Sequence, residues 1–349
     1  MVSLLVLIIG IFHEGFAEFY SVTVSCFLRS VLAFFTGFVG ISLAEIVVVL
    51  FCILLIPLFI FLVICFFRNR SLFKSIGKTI IGFVLVCVSL FIHSFGICYL
   101  RPEIEKSMNL TRTKLTRQQM YLSSSFIKES LETVAENVVF SDDGSSENPY
   151  SFNETNKIID KGYKALVSEY PFVCDINAKS KKIMLSPLMT YTHISGIYFP
   201  FTGEANVNTN YPDYVVAYSI AHEKAHQRGI ASEDEANFVA FLALLYSGDD
   251  YMRYCALMSM YDYYLDSIAT LDTEMYFYFL QNTNKTILSE MYAYSEFFDK
   301  YRNSGASKIA DAVNDRYIKV MGDNDGVNSY GNVVELVSAY LDKNNGLPK

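Results

Sequence analysis

The stretch Ala221 to Phe238, AHEKAHQRGIASEDEANF, decides how this chain is read. His222 and His226 stand four residues apart with Glu223 beside the first of them. On a helix, residues four apart lie one above the other on the same face, so both imidazoles reach one metal ion while Glu223 stays next to it. The chain has only five histidines. Two of them bracketing a glutamate at this spacing is expected in about 1% or fewer of sequences of such composition, so chance explains the pattern poorly.

A third ligand has to come from outside the pentad. Glu233, seven residues past His226, is the expected one, because Gly229 suits a left-handed turn after a helix end and lets the next helix fold back with its first turn facing the metal. Glu235 is the competing ligand. Glu233 and Asn237 share a helix face at i and i+4, which assigns Asn237 to orienting a histidine or the ligand carboxylate, while Asp234 and Glu235 are directed elsewhere.

Two imidazoles and one carboxylate leave a fourth position open, which is the donor set of catalytic Zn2+ and not of a closed structural site. Zinc then activates a water, and Glu223, adjacent but not ligating, accepts its proton and returns it to a leaving amine. The expected activity is hydrolysis of peptide bonds in a peptide or protein substrate. The competing class is a non-catalytic membrane sensor or assembly protein whose outer domain binds metal or peptide; a module that only binds metal has no need of Glu223.

Working outward, the N-terminal third belongs in a lipid bilayer. The chain is 52% hydrophobic and lacks Trp, and its apolar excess is concentrated at that end. The run AEIVVVLFCILLIPLFIFLVICFF, Ala44 to Phe67, is long enough to cross a hydrocarbon core of about 30 Å, and a second span runs from Thr79 to about Leu100. Met1 to Phe12 reads as a short, uncleaved first span without a signal-peptide pattern. Glu14 to Ile41, carrying Glu14, Glu18 and Arg29, reads as interfacial. The connector RNRSLFKSIGK, residues 68–78, crowds Arg68, Arg70, Lys74 and Lys78 together without an acidic residue. That makes it cytoplasmic and puts everything after Leu100 outside.

The expected architecture is therefore a membrane region over residues 1–100, with about three spans, followed by a mainly α (α+β) zincin-like extracytoplasmic domain over 101–349 with a small edge sheet. Five of the seven cysteines fall in the membrane third, leaving Cys174 and Cys255 outside, so one disulfide is possible and none is implied. A formal net charge of −8 speaks against a nucleic-acid surface.

In the outer part, apolar residues at helical spacing (Met120, Ile127, Leu131, Val134) predict a helix or helix pair over 101–137, followed by a loop at 141–154 and a helix over Thr155 to Glu169. Strands are predicted at Lys181 to Ser186 and Gly196 to Phe201. The helix bearing the pentad spans Tyr211 to Arg228, Ser232 caps the next one, and that one is a buried core helix. Beyond Gly248 the pattern is helical and rich in Tyr and Phe, which suits core packing, with breaks at 304–306 and 322–331. The run FTGEANVN precedes the pentad helix, where Glu204, Asn206 and Asn208 either line a substrate cleft or simply hold a turn. Tyr330 is a candidate electrophile for polarising a substrate carbonyl. His193 reads as structural, and His93 is assigned no role.

The string Glu233, Ala236, Asn237 after the paired histidines resembles the third-ligand signature of gluzincin-type membrane metallopeptidases and of the phage-repressor-cleaving type. In both, the first glutamate binds zinc, which the resemblance transfers to Glu233; its spacing from His226 is shorter than in those families, so Glu235 stays open. Together with the spans, the runs GIYFPFTGEANVN (196–208), AHEKAHQRGIASEDEANF (221–238) and GVNSYGNVVELV (326–337) resemble an uncharacterised bacterial family of multi-pass membrane proteins with a zincin-like outer domain. The resemblance implies a membrane-bound peptidase and covers nearly the whole chain.

Overall fold

The computed structural model describes residues 2–302, 304–320 and 332–348. Helices dominate, with one three-stranded sheet. Three helices are long and apolar enough to cross a membrane: α2 (Glu14–Gly37), α3 (Leu43–Arg68) and α4 (Arg70–Ser94). They are preceded by α1 (Val2–Phe12), whose 11 residues reach only about 16 Å, half a bilayer core. This corrects the first span. Met1 to Phe12 is too short, and the stretch read as interfacial supplies the third long helix instead.

The reason lies in what α2 buries. Ala17, Ser21, Ser25, Arg29 and Ala33 are all buried, a period of four kept along one side. A regular α-helix would drift by about 40° at each such step. The π turn at Ser21–Ser25 widens the helix in the middle and takes up part of that drift. The polar and charged residues that made the stretch look interfacial thus include a stripe that packs on protein.

The connector also differs from expectation. Only Asn69 separates α3 from α4, and its side chain caps the new helix by accepting from the Leu72 N–H at 3.0 Å. Arg70, Lys74 and Lys78 therefore lie on the first turns of α4, which ends at Ser94, earlier than predicted, in a 3-10 turn over Gly96–Leu100.

The remaining chain packs α5 (Ile104–Met108), α6 (Arg117–Ala135) and α7 (Phe152–Glu169) around a central pair, α9 (Asp213–Gln227) and α10 (Glu233–Tyr246), with α11 (Asp250–Leu271) laid across α6, α9 and α10. The short α8 (Ser186–Thr190) precedes the sheet's hairpin, and α12 (Thr273–Gln281), α13 (Lys285–Asp299), α14 (Gly305–Val320) and α15 (Val333–Asn344) follow. Helix α10 is apolar on every side because it is the axis of the core: Ala236 and Phe238 to Leu245 are all buried. The aromatic residues of α11 are largely core, with Tyr254, Tyr261 and Tyr264 buried. Cys255 is buried among them, and all seven cysteines are free thiols.

The strands are β1 (Lys181–Lys182), β2 (Gly196–Phe199) and β3 (Glu204–Val207), in the order β1-β3-β2. Two of them are shorter than predicted. Beyond β1 the chain leaves the sheet where the Met184 and Leu185 N–H groups are taken by the Glu45 carboxylate of α3, at 2.9 and 2.7 Å. Beyond β2 it turns at Pro200, with the Phe199 carbonyl accepting from Thr202 and Gly203. The run FTGEANVN, expected to line a cleft or hold a turn, supplies instead the central strand β3, antiparallel to β2 and parallel to β1.

Candidate metal centre

Helix α9 carries the paired histidines and stops where Gly229 takes a φ of +89°. A side chain at Gly229 is excluded twice over. The backbone there is left-handed, and a Cβ would lie 2.5 Å from Nη2 of Arg29 of α2. The turn brings the start of α10 back against α9. Ser232 occupies the cap position without bonding the helix end; Asp234 does that work, accepting from the Glu235 N–H at 2.8 Å.

Three donor atoms converge as a result. Nε2 of His222 and Nε2 of His226 are 3.0 Å apart, and Oε2 of Glu233 lies 3.2 and 3.3 Å from them. This trio is a group of ligating side chains able to hold one ion. Zn2+ bonded tetrahedrally at about 2.0–2.1 Å places its donors about 3.3 Å apart, so the spacing suits zinc.

The outward nitrogens fix what the inward ones can be. Nδ1 of His226 faces the Ile230 carbonyl at 2.8 Å, and a carbonyl only accepts, so Nδ1 carries the proton. Nδ1 of His222 faces Oδ1 of Asn237 at 2.8 Å, the same arrangement through a side-chain amide. Both Nε2 atoms of the neutral imidazoles are then bare lone pairs pointing at each other and at a carboxylate oxygen. Oε2 of Glu233 is buried and lacks an aligned hydrogen bond. Three acceptors packed this closely require a cation among them.

A proton serves that need when no metal does. Burial works against a charged His226, yet the Glu233 carboxylate outweighs it and pushes His226 up to about 9. Burial likewise opposes an ionised Glu233, and the charge of His226 with the closeness of both imidazoles holds its carboxyl well below the usual range. A divalent ion held by these three residues would take the place of that proton.

Glu223 stands beside the trio without joining it. Its carboxyl is buried with Oε2 unpartnered, and burial raises its pKa against the lowering pull of His222, His226 and the Tyr198 backbone N–H. Gly196 of β2 lies directly over it: a Cβ there would be 2.6 Å from Cγ of Glu223. Neighbouring Lys224 points the opposite way into the protein, where its ammonium reaches Asp160 and the Ala178 carbonyl, both at 2.7 Å. Burial pushes it down to about 8 despite Asp160. Arg228 joins the same carboxylate and the Ile176 carbonyl, so the back of α9 is fastened to the 176–178 segment.

Glu235, the competing ligand, points away. Its carboxyl accepts from the Ile104 N–H at 2.7 Å, and burial, with the nearby Asp234 charge, pushes it up to about 8. Asp234 pairs with Arg112 at 2.7 Å.

Glu204, Asn206 and Asn208 do not line a cleft. All three are buried on or next to the central strand and bonded to protein. Glu204 pairs with Lys181 and accepts from the Ala44 N–H at 2.7 Å, a carboxylate at the positive start of α3. Asn206 accepts from the Ser42 hydroxyl at 2.7 Å, and Asn208 bonds the Thr190 hydroxyl at 3.1 Å. They join the sheet to α3 and α8. His193 adopts a left-handed φ of +61° and its ring bonds the Tyr301 carbonyl at 2.9 Å. Tyr330 lies outside the described residues.

The sequence reading missed the groups that wall the centre. Phe95, just past α4, sets its ring edge-on to His226 at 6.2 Å. Tyr99 of the 3-10 turn bonds Tyr317 of α14 through their hydroxyls at 3.1 Å. Burial raises the pKa of both, and both feel the Glu233 charge. The Ile230 carbonyl that sets the His226 tautomer is a backbone group, invisible to any residue-type pattern.

The chain belongs to the family described as "Protein of unknown function (DUF3810)", whose model matches residues 20–338. No curated protein matches the chain. No solved structure matches it either.

Proposed function

We propose that this DUF3810 chain is a membrane-anchored, zinc-dependent metallopeptidase of zincin type, acting on peptides or proteins at the outer face of a bacterial cytoplasmic membrane. The observation that carries the reading is the convergence of three acceptor atoms, from Glu233 and from two imidazoles whose other nitrogens are already committed to Asn237 and Ile230. His222, His226 and Glu233 would hold Zn2+. When bound, the ion supplies Lewis acidity that activates a water as nucleophile and polarises a carbonyl.

The protein's own part follows from position and burial. Glu223 takes a proton from the attacking water and gives it to the leaving amine, a task suited to a carboxyl beside the ligand trio whose pKa burial has raised. Among the described residues, strand β2 pairs only with β3, on one of its edges. Its other edge, which turns the Tyr198 N–H toward Glu223, is suited to an extended substrate added as a further strand. This role belongs to β2, since β3 is enclosed. Helices α3 and α4 form the anchor, with the basic residues around Asn69 on the cytoplasmic side and the body from residue 101 outside.

Metal analysis of detergent-purified protein tests the ligands: about one zinc per chain, kept in Glu235→Ala and Glu223→Gln and lost in Glu233→Ala. Peptide-library cleavage tests the chemistry. Turnover by the wild type and none by Glu223→Gln is the expected result, and metal-free wild type after zinc addition sinks the reading.

A second reading, a sensor that passes metal or peptide binding to the spans, has one observation in its favour. Arg29 of α2 packs on Gly229, and Arg101 bonds the Gly229 carbonyl at 3.0 Å, both at the turn between the ligand-bearing helices. In that case Glu223→Gln leaves the protein's function unchanged.

A further inference from the structure

Helix α14 is 16 residues long, yet Ser307 is its one buried side chain among the described residues. Along one side, on successive turns, stand Ile309, Val313 and Tyr317, the first two about two-thirds exposed at 69% and 64%. With Lys308, Ala312 and Arg316 they line a shallow, mostly apolar hollow. A lone helix of this length is marginal in water, and an apolar stripe left open on it adds to the cost.

Both ends of α14 are tied to the same level of the molecule. At its start, the Ser304 hydroxyl bonds the Tyr191 carbonyl just after α8. The segment leading into α8 is held by Glu45, in the first turn of α3. Near its other end, Tyr317 bonds Tyr99, five residues past the end of α4. Only Asn69 separates α3 from α4, and the start of one and the residue after the end of the other both reach the sheet, through Ala44 to Glu204 and Phe95 to Tyr198, so the pair folds back as a hairpin whose open end marks one membrane boundary. A rod of about 24 Å fixed at both ends near that boundary runs along it. Exposed Met184, Leu185 and Leu188 extend the apolar surface beside its first anchor.

We infer that α14 is an in-plane membrane helix that lays Ile309, Val313 and Tyr317 into the outer-leaflet interface beside the metal centre. The occupant of the stripe is lipid. Continuity with the apolar hairpin selects it, and so does the pattern, an apolar stripe flanked by Lys308 and Arg316, whose long side chains reach headgroups. The inference rests on the reading that α3 and α4 cross the bilayer, and is independent of whether the centre turns over.

The chain has no tryptophan, so one introduced by substitution reports alone. Full-length Val313→Trp, Ile309→Trp, Phe59→Trp in α3 and Val139→Trp, in the loop after α6, are reconstituted in phosphatidylcholine vesicles with or without bromines high on the acyl chains. Val313→Trp and Ile309→Trp are expected to emit blue-shifted light and lose about half their intensity to brominated lipid. Phe59→Trp is quenched as well, and Val139→Trp is not. Quenching at Phe59 without quenching at 313 and 309 overturns the inference and leaves the span standing. Blue-shifted but unquenched emission at 313 and 309 assigns the stripe to a second copy or a bound peptide and also overturns it. Absence of quenching at Phe59 refutes the span and the inference together.

Discussion

The α3–α4 hairpin and helix α2 are all apolar enough to cross a membrane, but they are built on opposite logic. None of the most apolar window of α3 or α4 is buried in protein, against 22% of that of α2. The hairpin offers its side chains to the surroundings, with Leu54, Ile56 and Phe59 more than half exposed. Helix α2 turns a stripe inward, and Arg29 at its centre is wholly buried. The Arg29 guanidinium donates to the Ser94 carbonyl at 2.7 Å, the Ser21 carbonyl at 3.2 Å, and the sulfurs of Cys98 and Cys174 at 3.1 and 3.2 Å. Hydropathy alone therefore does not separate an anchor from a structural strut: the hairpin fits an anchor, and α2 braces the turn that shapes the candidate metal centre.

The sharpest way to break this comparison is at Arg29. Arg29→Ala strands two buried carbonyls and opens a cavity, so it should lower unfolding stability by roughly 4 kcal/mol. A thermal melt in detergent that matches wild type would show that α2 is merely a third anchor.

A second test asks whether the body beyond the spans carries its own pH dependence. Burial, and then the Asp266 charge, push the Asp262 carboxyl of α11 up to about 8. A folded pKa above the unfolded value means the folded state holds a proton the unfolded chain has lost. Its contribution is full below about pH 4 and is lost as pH rises through about 8, on the order of 3 kcal/mol by neutrality. Asp262→Asn should flatten that fall in melts taken between those limits. An unchanged slope in the variant assigns the dependence to other groups.

Smaller effects sharpen the contrast further. Gly229→Ala forces a Cβ into a left-handed turn and against Arg29, and is expected to cost about 2 kcal/mol and weaken zinc retention on dialysis. Retention equal to wild type would show that the turn tolerates a side chain. Leu54→Ala in α3 should lower stability least of all, by less than about 0.5 kcal/mol, because the side chain is more than half exposed. A large shift there would mean that protein covers the hairpin.

How much was legible in the sequence follows the same division. The pairing of His222 with His226 is a local consequence of helix pitch, and Gly229 announces its turn through backbone sterics alone. Glu233 was the expected third ligand from the turn that follows, with Glu235 open beside it until its carboxyl is seen to bond the Ile104 N–H. Asn206 and Glu204 were misplaced because a short polar run looks the same on an edge strand and a central one, until Ser42 and the start of α3 are known to lie against it. Arg29 was taken as a mark of an interfacial segment, since a charge in an apolar stretch ordinarily faces water or headgroups. Three of its four partners come from residues 94, 98 and 174, distances along the chain that no periodicity encodes.

Spacing within one element is enough to read the histidine pair and the hydrophobic lengths of α3 and α4 from the chain alone. Only the tertiary structure decided which strand edge is open toward Glu223, which carboxylate of the acidic run points at the histidines, and that α2 is a buried brace. Those outcomes depend on which groups desolvate one another across the fold, and burial is a property of the assembled chain that no single segment carries.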